Sequence, residues 1–318
     1  MSLDAPINGL ILVDKPSGPT SFDLVKAIRK VSGQKSVGHI GTLDPLATGL
    51  MGLVLGTATR LASYLTGHDK TYLATVVLGL QTDTDDVTGA VLGQFIGQYP
   101  SKEEVQKALA SFVGTLDQRP PNYSAKKVGG KTAHKLARAG ENVELASQKV
   151  TAYALTLEAY NPPVVVFRAK VSAGYYIRSL ARDLGQELGL GGGALKALRR
   201  ERIGDFGLEE ARGLPQSRAE LLARLISPRA ALAGWPEVLV SALEAEKLAH
   251  GQGVRLANNL TALSLLGPNE GRKNPLVKII EPQDQLLGLG YLEPPIMGDL
   301  GQEPPGPFLR PSRVFKPR

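Results

Sequence analysis

Strand-like and helix-like segments interleave along this chain without the regular strand–helix–strand rhythm of a parallel doubly wound sheet, and that order constrains the fold most. Gly9 to Val13 is a short apolar strand candidate, stopped by the turn chemistry of Asp14-Lys15-Pro16-Ser17-Gly18-Pro19. Thr20 then caps a helix, with Asp23 completing a capping-box pair and Phe22, Val25 and Ile28 recurring on one face. Gly38 to Leu50, GHIGTLDPLATGL, reads as a loop because of Pro45 and its glycines, and Leu50 to Leu55 as a buried strand. Lys70 to Leu78 alternates around Tyr72, Ala74, Val76 and Leu78, as a strand with one buried face does. A helix is expected over Lys102 to Phe112, a strand over Val164 to Val171, and helical spacing follows at Leu180, Leu184 and Leu188. The expected class is α+β, a mixed sheet flanked by helices.

At 318 residues the chain exceeds one average domain. Its character changes around Gly234-Trp235-Pro236, beyond which a helix candidate (Ala242 to Ala249) precedes short apolar strands such as Pro275 to Ile280 and Leu286 to Leu292. The expectation is a large domain over 1–235 and a small β-rich one over 236–318.

Composition narrows the chemistry. No cysteine is present, which excludes disulfides, thiolate nucleophiles and cysteine-rich metal sites, and His39, His68, His134 and His250 show no metal-ligand spacing. Neither a metal nor a cofactor is expected. No apolar run approaches the roughly 20 residues of a membrane helix, and no secretory leader is evident, so the expected place is the cytoplasm. Asp83 to Gly89 hints at a calcium loop but carries Val87 where an oxygen ligand is needed and Gln94 where a glutamate is needed, and reads better as a capped polar turn. Gly189 to Ala194 resembles a dinucleotide loop only in letters, since it follows a helix where that motif demands a strand.

A net charge of +7 favours a polyanionic partner. Six basic residues (Arg119, Lys126, Lys127, Lys131, Lys135, Arg138) and no acid lie between Gln118 and Gly140, and Lys196, Arg199, Arg200 and Arg202 hold only Glu201 against them. Either run alone reads as a solvated face, but together with the basic tail Arg310 to Arg318 they favour nucleic acid. With few aromatics, the pattern suits shape recognition of a folded RNA. Within this frame Asp44 stands alone among small, apolar and hydroxyl residues. It is either a loop-stabilising carboxylate or a nucleophile; a carboxylate is a competent covalent catalyst, ionised near pH 7 and needing no metal.

Seven landmarks in order, spread from residue 9 to about 207, resemble the bacterial tRNA pseudouridine-55 synthase family, TruB: LVDKPSG at 12–18, GHIGTLDPLATG at 38–49, KTY at 70–72, QTDTD at 81–85, PPNYSA at 120–125, YIRSL at 176–180 and LRR at 198–200. The resemblance implies a pseudouridine synthase fold with a mostly antiparallel sheet, and uridine 55 in the tRNA T-loop as target. It implies Asp44 as the nucleophile toward a flipped-out uridine, Tyr72 stacking on the base and taking its C5 proton, and Arg178 pairing with Asp44. It further implies that Tyr176 and Leu198 enclose the uracil and that His39 holds the base out of the stack. Taken alone, Tyr72 and Leu198 read as core residues and His39 as an ordinary loop histidine. Lys126, Lys127, Lys131, Arg199 and Arg200 are the expected RNA contacts, the partner is the tRNA T-arm, and the protein is expected to act as a monomer. From about residue 237 the resemblance loosens, through Gly251 to Arg255 and Leu287 to Tyr291, to a PUA-type RNA-binding module. The alternatives are a non-catalytic RNA-binding protein or tRNA-folding chaperone, and a related synthase acting on another RNA or through a guide RNA.

Overall fold

The computed structural model describes residues 6–123, 127–128, 131–132, 145–256, 259–266, 274–294 and 306–315. Strands over Gly9–Lys15 (β1), Val37–His39 (β2), Thr48–Leu55 (β3) and Lys70–Leu78 (β4) are followed by a hairpin, Leu80–Thr82 (β5) and Val91–Gln94 (β6). Gly114–Gln118 (β7) comes next, then a short pair, Lys127–Val128 (β8) and Lys131–Thr132 (β9). Long strands Gln148–Asn161 (β10), Val164–Val171 (β11) and Gly193–Ile203 (β12) follow, with Phe206–Gly207 (β13) folding back on β12. Their order in one sheet is β1-β3-β12-β4-β11-β10-β7, with β2 on β3. The β3–β12 pair is parallel and the other pairs of this sheet are antiparallel. The class is therefore α+β with a mixed, mostly antiparallel sheet.

Sequence period explains the pairing. In β4 every second residue, Lys70, Tyr72, Ala74, Val76 and Leu78, is buried, as the alternation requires. β1 and β3 are buried on nearly every residue because both faces are covered. On one face lies the helix Ser21–Ser32 (α1), whose Thr20–Asp23 capping box forms as the sequence indicates. Its buried stripe is Ser21, Leu24, Val25, Ile28 and Ser32, not the one through Phe22. Phe22 is exposed beneath Lys26 and Arg29, one position off the stripe, which corrects the expected face. The short helix Ala62–Thr66 (α2) sends Leu65 into a cluster with Leu10, Leu12, Leu50 and Val54, while Val105 and Leu109 of Lys102–Ser111 (α3) and Leu180, Ala181 and Leu184 of Ile177–Glu187 (α4) pack in the β4–β11 core.

The C-terminal strands Glu237–Leu239 (β14), Val254–Arg255 (β15), Leu276–Ile280 (β16), Leu286–Glu293 (β17) and Phe308–Val314 (β18) form a second sheet, β14-β16-β17-β18-β15, over its own apolar cluster. Leu289 and Phe315 leave that cluster to pack with Leu10, Leu12, Leu50 and Ile203 of the larger sheet. Arg229 ties the two parts electrostatically through Glu237 at 2.7 Å and through Asp284. Among the described residues no helix is long and apolar enough to cross a membrane.

Candidate functional site

The loop between β2 and β3 is held by its backbone. Lys15, fully buried at the end of β1, donates from Nζ to the carbonyls of Pro16 (3.0 Å), Pro45 (3.2 Å) and Ala47 (2.7 Å). Burial lowers its pKa despite the nearby Asp44. Ser21, buried in the first turn of α1, both accepts from the Leu43 N–H (2.8 Å) and donates to the Leu43 carbonyl (2.9 Å). A turn bond from the Ala47 N–H to the Asp44 carbonyl (3.1 Å) closes the loop. Asp44 is thereby presented from a fixed turn, its side chain 35% exposed.

Arg178, in the first turn of α4, reaches it: Nε lies 2.8 Å from Asp44 Oδ2. The guanidinium, 7% exposed, also donates from Nη1 to the Thr84 carbonyl (3.1 Å) and from Nη2 to the Tyr123 carbonyl (3.0 Å). Three engaged nitrogens leave the ion pair one orientation, so the geometry is set by the protein rather than by side-chain freedom. Thr84 belongs to the turn 83–89, in which Asp86 Oδ1 accepts from Thr84 Oγ1 (2.9 Å), the Thr88 N–H (2.9 Å) and Thr88 Oγ1 (2.5 Å). Asp85 in the same turn pairs with Arg182 at 3.0 Å, its carboxyl pKa raised by burial against that cation's pull. The carboxylates of this turn thus serve as acceptors for local donors. Among the described residues no three His, Cys, Asp or Glu gather as metal ligands.

Asp44 opens on a cavity of about 330 Å³, at the small end of the roughly 300–1,000 Å³ range of ligand pockets. Asp44, Tyr72, Tyr176, Arg178 and Leu198 all line it, from the β2–β3 loop, β4, the start of α4 and β12. His39 does not line it: it sits half-buried at the end of β2, its Nδ1 has no hydrogen-bond partner among the described residues, and burial lowers its pKa.

Two of the expected RNA contacts, Arg200 and Arg199, are engaged by other groups of the protein. Arg200 is 1% exposed and donates from Nε to the Leu50 carbonyl (2.7 Å), from Nη1 to Thr42 (3.3 Å) and from Nη2 to Gly41 (3.1 Å). It stands opposite Tyr72 in the β12–β4 register, and the two interact electrostatically. A guanidinium so enclosed braces the site and cannot bind phosphate at a surface. Arg199 is half-exposed but carries Asp14 bidentately, at 2.8 and 3.3 Å, and Arg202 pairs with Glu209 at 3.4 Å. The second basic run is thus largely neutralised by acids remote in sequence. Lys126 lies outside the described residues, as do His134, Lys135 and Arg138, and for Lys127 and Lys131 only the backbone pairing of β8 with β9 is described.

Sequence reasoning missed Lys70. It shares the inward face of β4 with Tyr72, lines the cavity, and gives its Nζ to the carbonyls of Thr66 and His68, with burial pushing its pKa down to about 8. The signal was its parity with Tyr72 in the alternation. Lys15 and Ser21 carried no such signal, since each acts on a backbone remote in sequence.

Comparison with known proteins follows the same lines. Residues 29–177 match the TruB family pseudouridylate synthase N-terminal domain. A protein of Thermobifida fusca called tRNA pseudouridine synthase B is 39% identical over 270 residues, 82% of this chain and 92% of its own. One of the same name from Arthrobacter sp. is 38% identical over 311 residues, 94% and 99% of the two chains, and one from Aquifex aeolicus is 37% identical over 291 residues, 90% and 96%. Among solved structures, an archaeal box H/ACA sRNP Nop10–Cbf5 complex contains a chain superposing with a TM-score of 0.67 at 23% identity over 99% of this chain and 90% of that one. At that identity the likeness speaks for the fold alone.

Proposed function

Because this chain belongs to the TruB family of pseudouridylate synthases, we propose that it converts uridine 55 in the T-loop of tRNA to pseudouridine with Asp44 as nucleophile. The observation that carries this reading is the 2.8 Å pair of Asp44 with a buried Arg178 at the mouth of a cavity that Tyr72, Tyr176 and Leu198 also line. The relatives named tRNA pseudouridine synthase B support tRNA as the substrate.

The target base must leave its stack to enter the cavity, at a cost of about a few kcal/mol that contacts in the pocket and along the RNA offset. Asp44 then attacks the nucleotide, the bond from sugar C1′ to N1 breaks, the base turns, C1′ rejoins the ring at C5, and the bond to the Asp44 carboxylate breaks to release it. The C5 proton leaves and N1 gains one, so the reaction is an isomerisation with no net loss of atoms. Tyr72 stacks on the base and receives the C5 proton. Arg178 holds Asp44 in its attacking orientation, Tyr176 and Leu198 enclose the uracil, and His39 helps hold the base out of the stack. Lys126, Lys127 and Lys131 contact the T-arm. Residues 1–235 form the catalytic domain and 236–318 a PUA-like module that adds RNA surface, and the working unit is a monomer.

The test is Asp44→Asn assayed by pseudouridine mapping on an unmodified T-arm hairpin. We expect RNA binding to persist and product to vanish; formation at a rate comparable to the native protein's would overturn the assignment.

A further inference from the structure

Gln118, the last residue of β7, is 1% exposed, and both ends of its amide engage the backbone of a single residue. Its Nε2 donates to the Tyr176 carbonyl at 3.0 Å, and the Tyr176 N–H donates to its Oε1 at 2.8 Å. Its cross-strand partner in β10, Gln148, donates from Nε2 to the Gly174 carbonyl at 2.6 Å. Residues directly opposite in an antiparallel pair share a face, so one end of this ladder grips the turn 174–176 from one side. That turn lines the cavity and runs straight into α4, where Arg178 sits. Tyr176 is the N-cap residue of α4, in extended backbone (φ −104°, ψ 113°), and its side chain makes no capping bond. The position of the first turn of α4 is therefore not fixed by the usual capping side chain.

We propose that Gln118 is a positioning residue: by clamping the Tyr176 backbone at both its N–H and its carbonyl it sets where Tyr176 faces the cavity and where Arg178 meets Asp44. This rests on the reading of Asp44 and Arg178 given above. Arg178 is held at three points, Asp44, Thr84 and Tyr123, so a displacement of the α4 start loosens at least one of them. An amide suits the clamp because it both donates and accepts. An ionised carboxylate accepts only, and would oppose the Tyr176 carbonyl; a protonated one donates again.

The experiment compares Gln118→Glu, Gln118→Leu and Asp44→Asn with the native full-length protein on unmodified tRNA transcript, measuring kcat and KM from about pH 8 to about pH 6, a range in which a buried glutamate of raised pKa titrates. We expect Gln118→Glu to lose about tenfold in kcat at the alkaline end, with KM within about twofold, and to recover toward the native rate at the acid end. Gln118→Leu should be slow throughout. Near-native kcat for Gln118→Glu at the alkaline end overturns the proposal, as does a loss confined to KM, or a loss that persists at the acid end in a protein whose near-ultraviolet dichroism is native. Should Gln118→Leu fail to fold, the Gln118→Glu pH series still decides, because it compares one protein with itself. An active Asp44→Asn would instead remove the site reading on which the proposal rests.

Discussion

Replacing Arg200 with methionine separates a brace from an RNA contact. Three carbonyls, Leu50, Thr42 and Gly41, would lose a charged donor, at 2.7, 3.3 and 3.1 Å respectively. A bond from a charged donor contributes roughly 1.5–3 kcal/mol, so three set a ceiling of about 5–9 kcal/mol. Methionine keeps most of the aliphatic packing and relieves the burial of a charge, so we expect a net destabilisation of about 3–5 kcal/mol. Against a native stability of about 5–15 kcal/mol the variant remains folded in buffer with a clearly lowered urea midpoint. The second measurement is tRNA affinity against salt, where each phosphate contact contributes about 0.7–0.9 to the slope of log K against log salt. The slope should not change, because the buried guanidinium meets no phosphate. A variant within about 1 kcal/mol of native stability whose slope falls by about one would refute the reasoning and return Arg200 to the RNA surface.

Neutralising Lys126, Lys127 and Lys131 together should do the converse, flattening the salt slope by about two to three with stability unchanged; an unchanged slope would remove this segment from the RNA. Glu237 accepts from Arg229 and Lys278, which hold its carboxyl down to about 2 against an ordinary 4.5. Its contribution is fully present above about pH 4.5 and disappears as pH falls through about 2, so the urea midpoint of the native protein should drop more steeply over that window than that of Glu237→Gln. Gly49 has φ +99° and its added Cβ would lie 2.3 Å from the Arg200 carbonyl oxygen, so Gly49→Ala should cost about 3 kcal/mol or more by forcing β3 from β12. Gly18→Ala, at φ +106° but in open space, should cost only about 1–2 kcal/mol in the same denaturation assay.

Legibility followed physical locality. The alternation of β4 and the capping box of α1 are satisfied by neighbours in sequence, and both stand where the residues indicated. Two long strands left no such trace. β12 shifts register between Leu195 and Ala197 and again between Arg200 and Arg202, which breaks a period of two, and it hides an arginine inside. β10 also slips register against β11, between Ala152 and Ala154 and between Leu157 and Ala159, and much of its length faces solvent. Counting charges along the chain likewise overstated the second basic run, because Asp14 and Glu209, which neutralise Arg199 and Arg202, are supplied by other segments.

The same reasoning explains why a lone aspartate says little by itself. Lys15 from β1, Arg178 from α4 and Arg200 from β12 converge on the loop that carries Asp44, two of them on its backbone carbonyls and one on its carboxylate. None is its neighbour in sequence, so no local pattern distinguishes a carboxylate held by one remote cation, on a loop braced by two others, from one that caps a turn. Gly49 and Gly41 are the local trace of this assembly: each takes a positive φ, and a Cβ at Gly49 would strike the Arg200 backbone while one at Gly41 would come into contact with the Arg200 guanidinium. The glycines beside Asp44 thus report the approach of the β12 arginine, and the ordered motifs of the chain were needed to bring Arg178 to the same point.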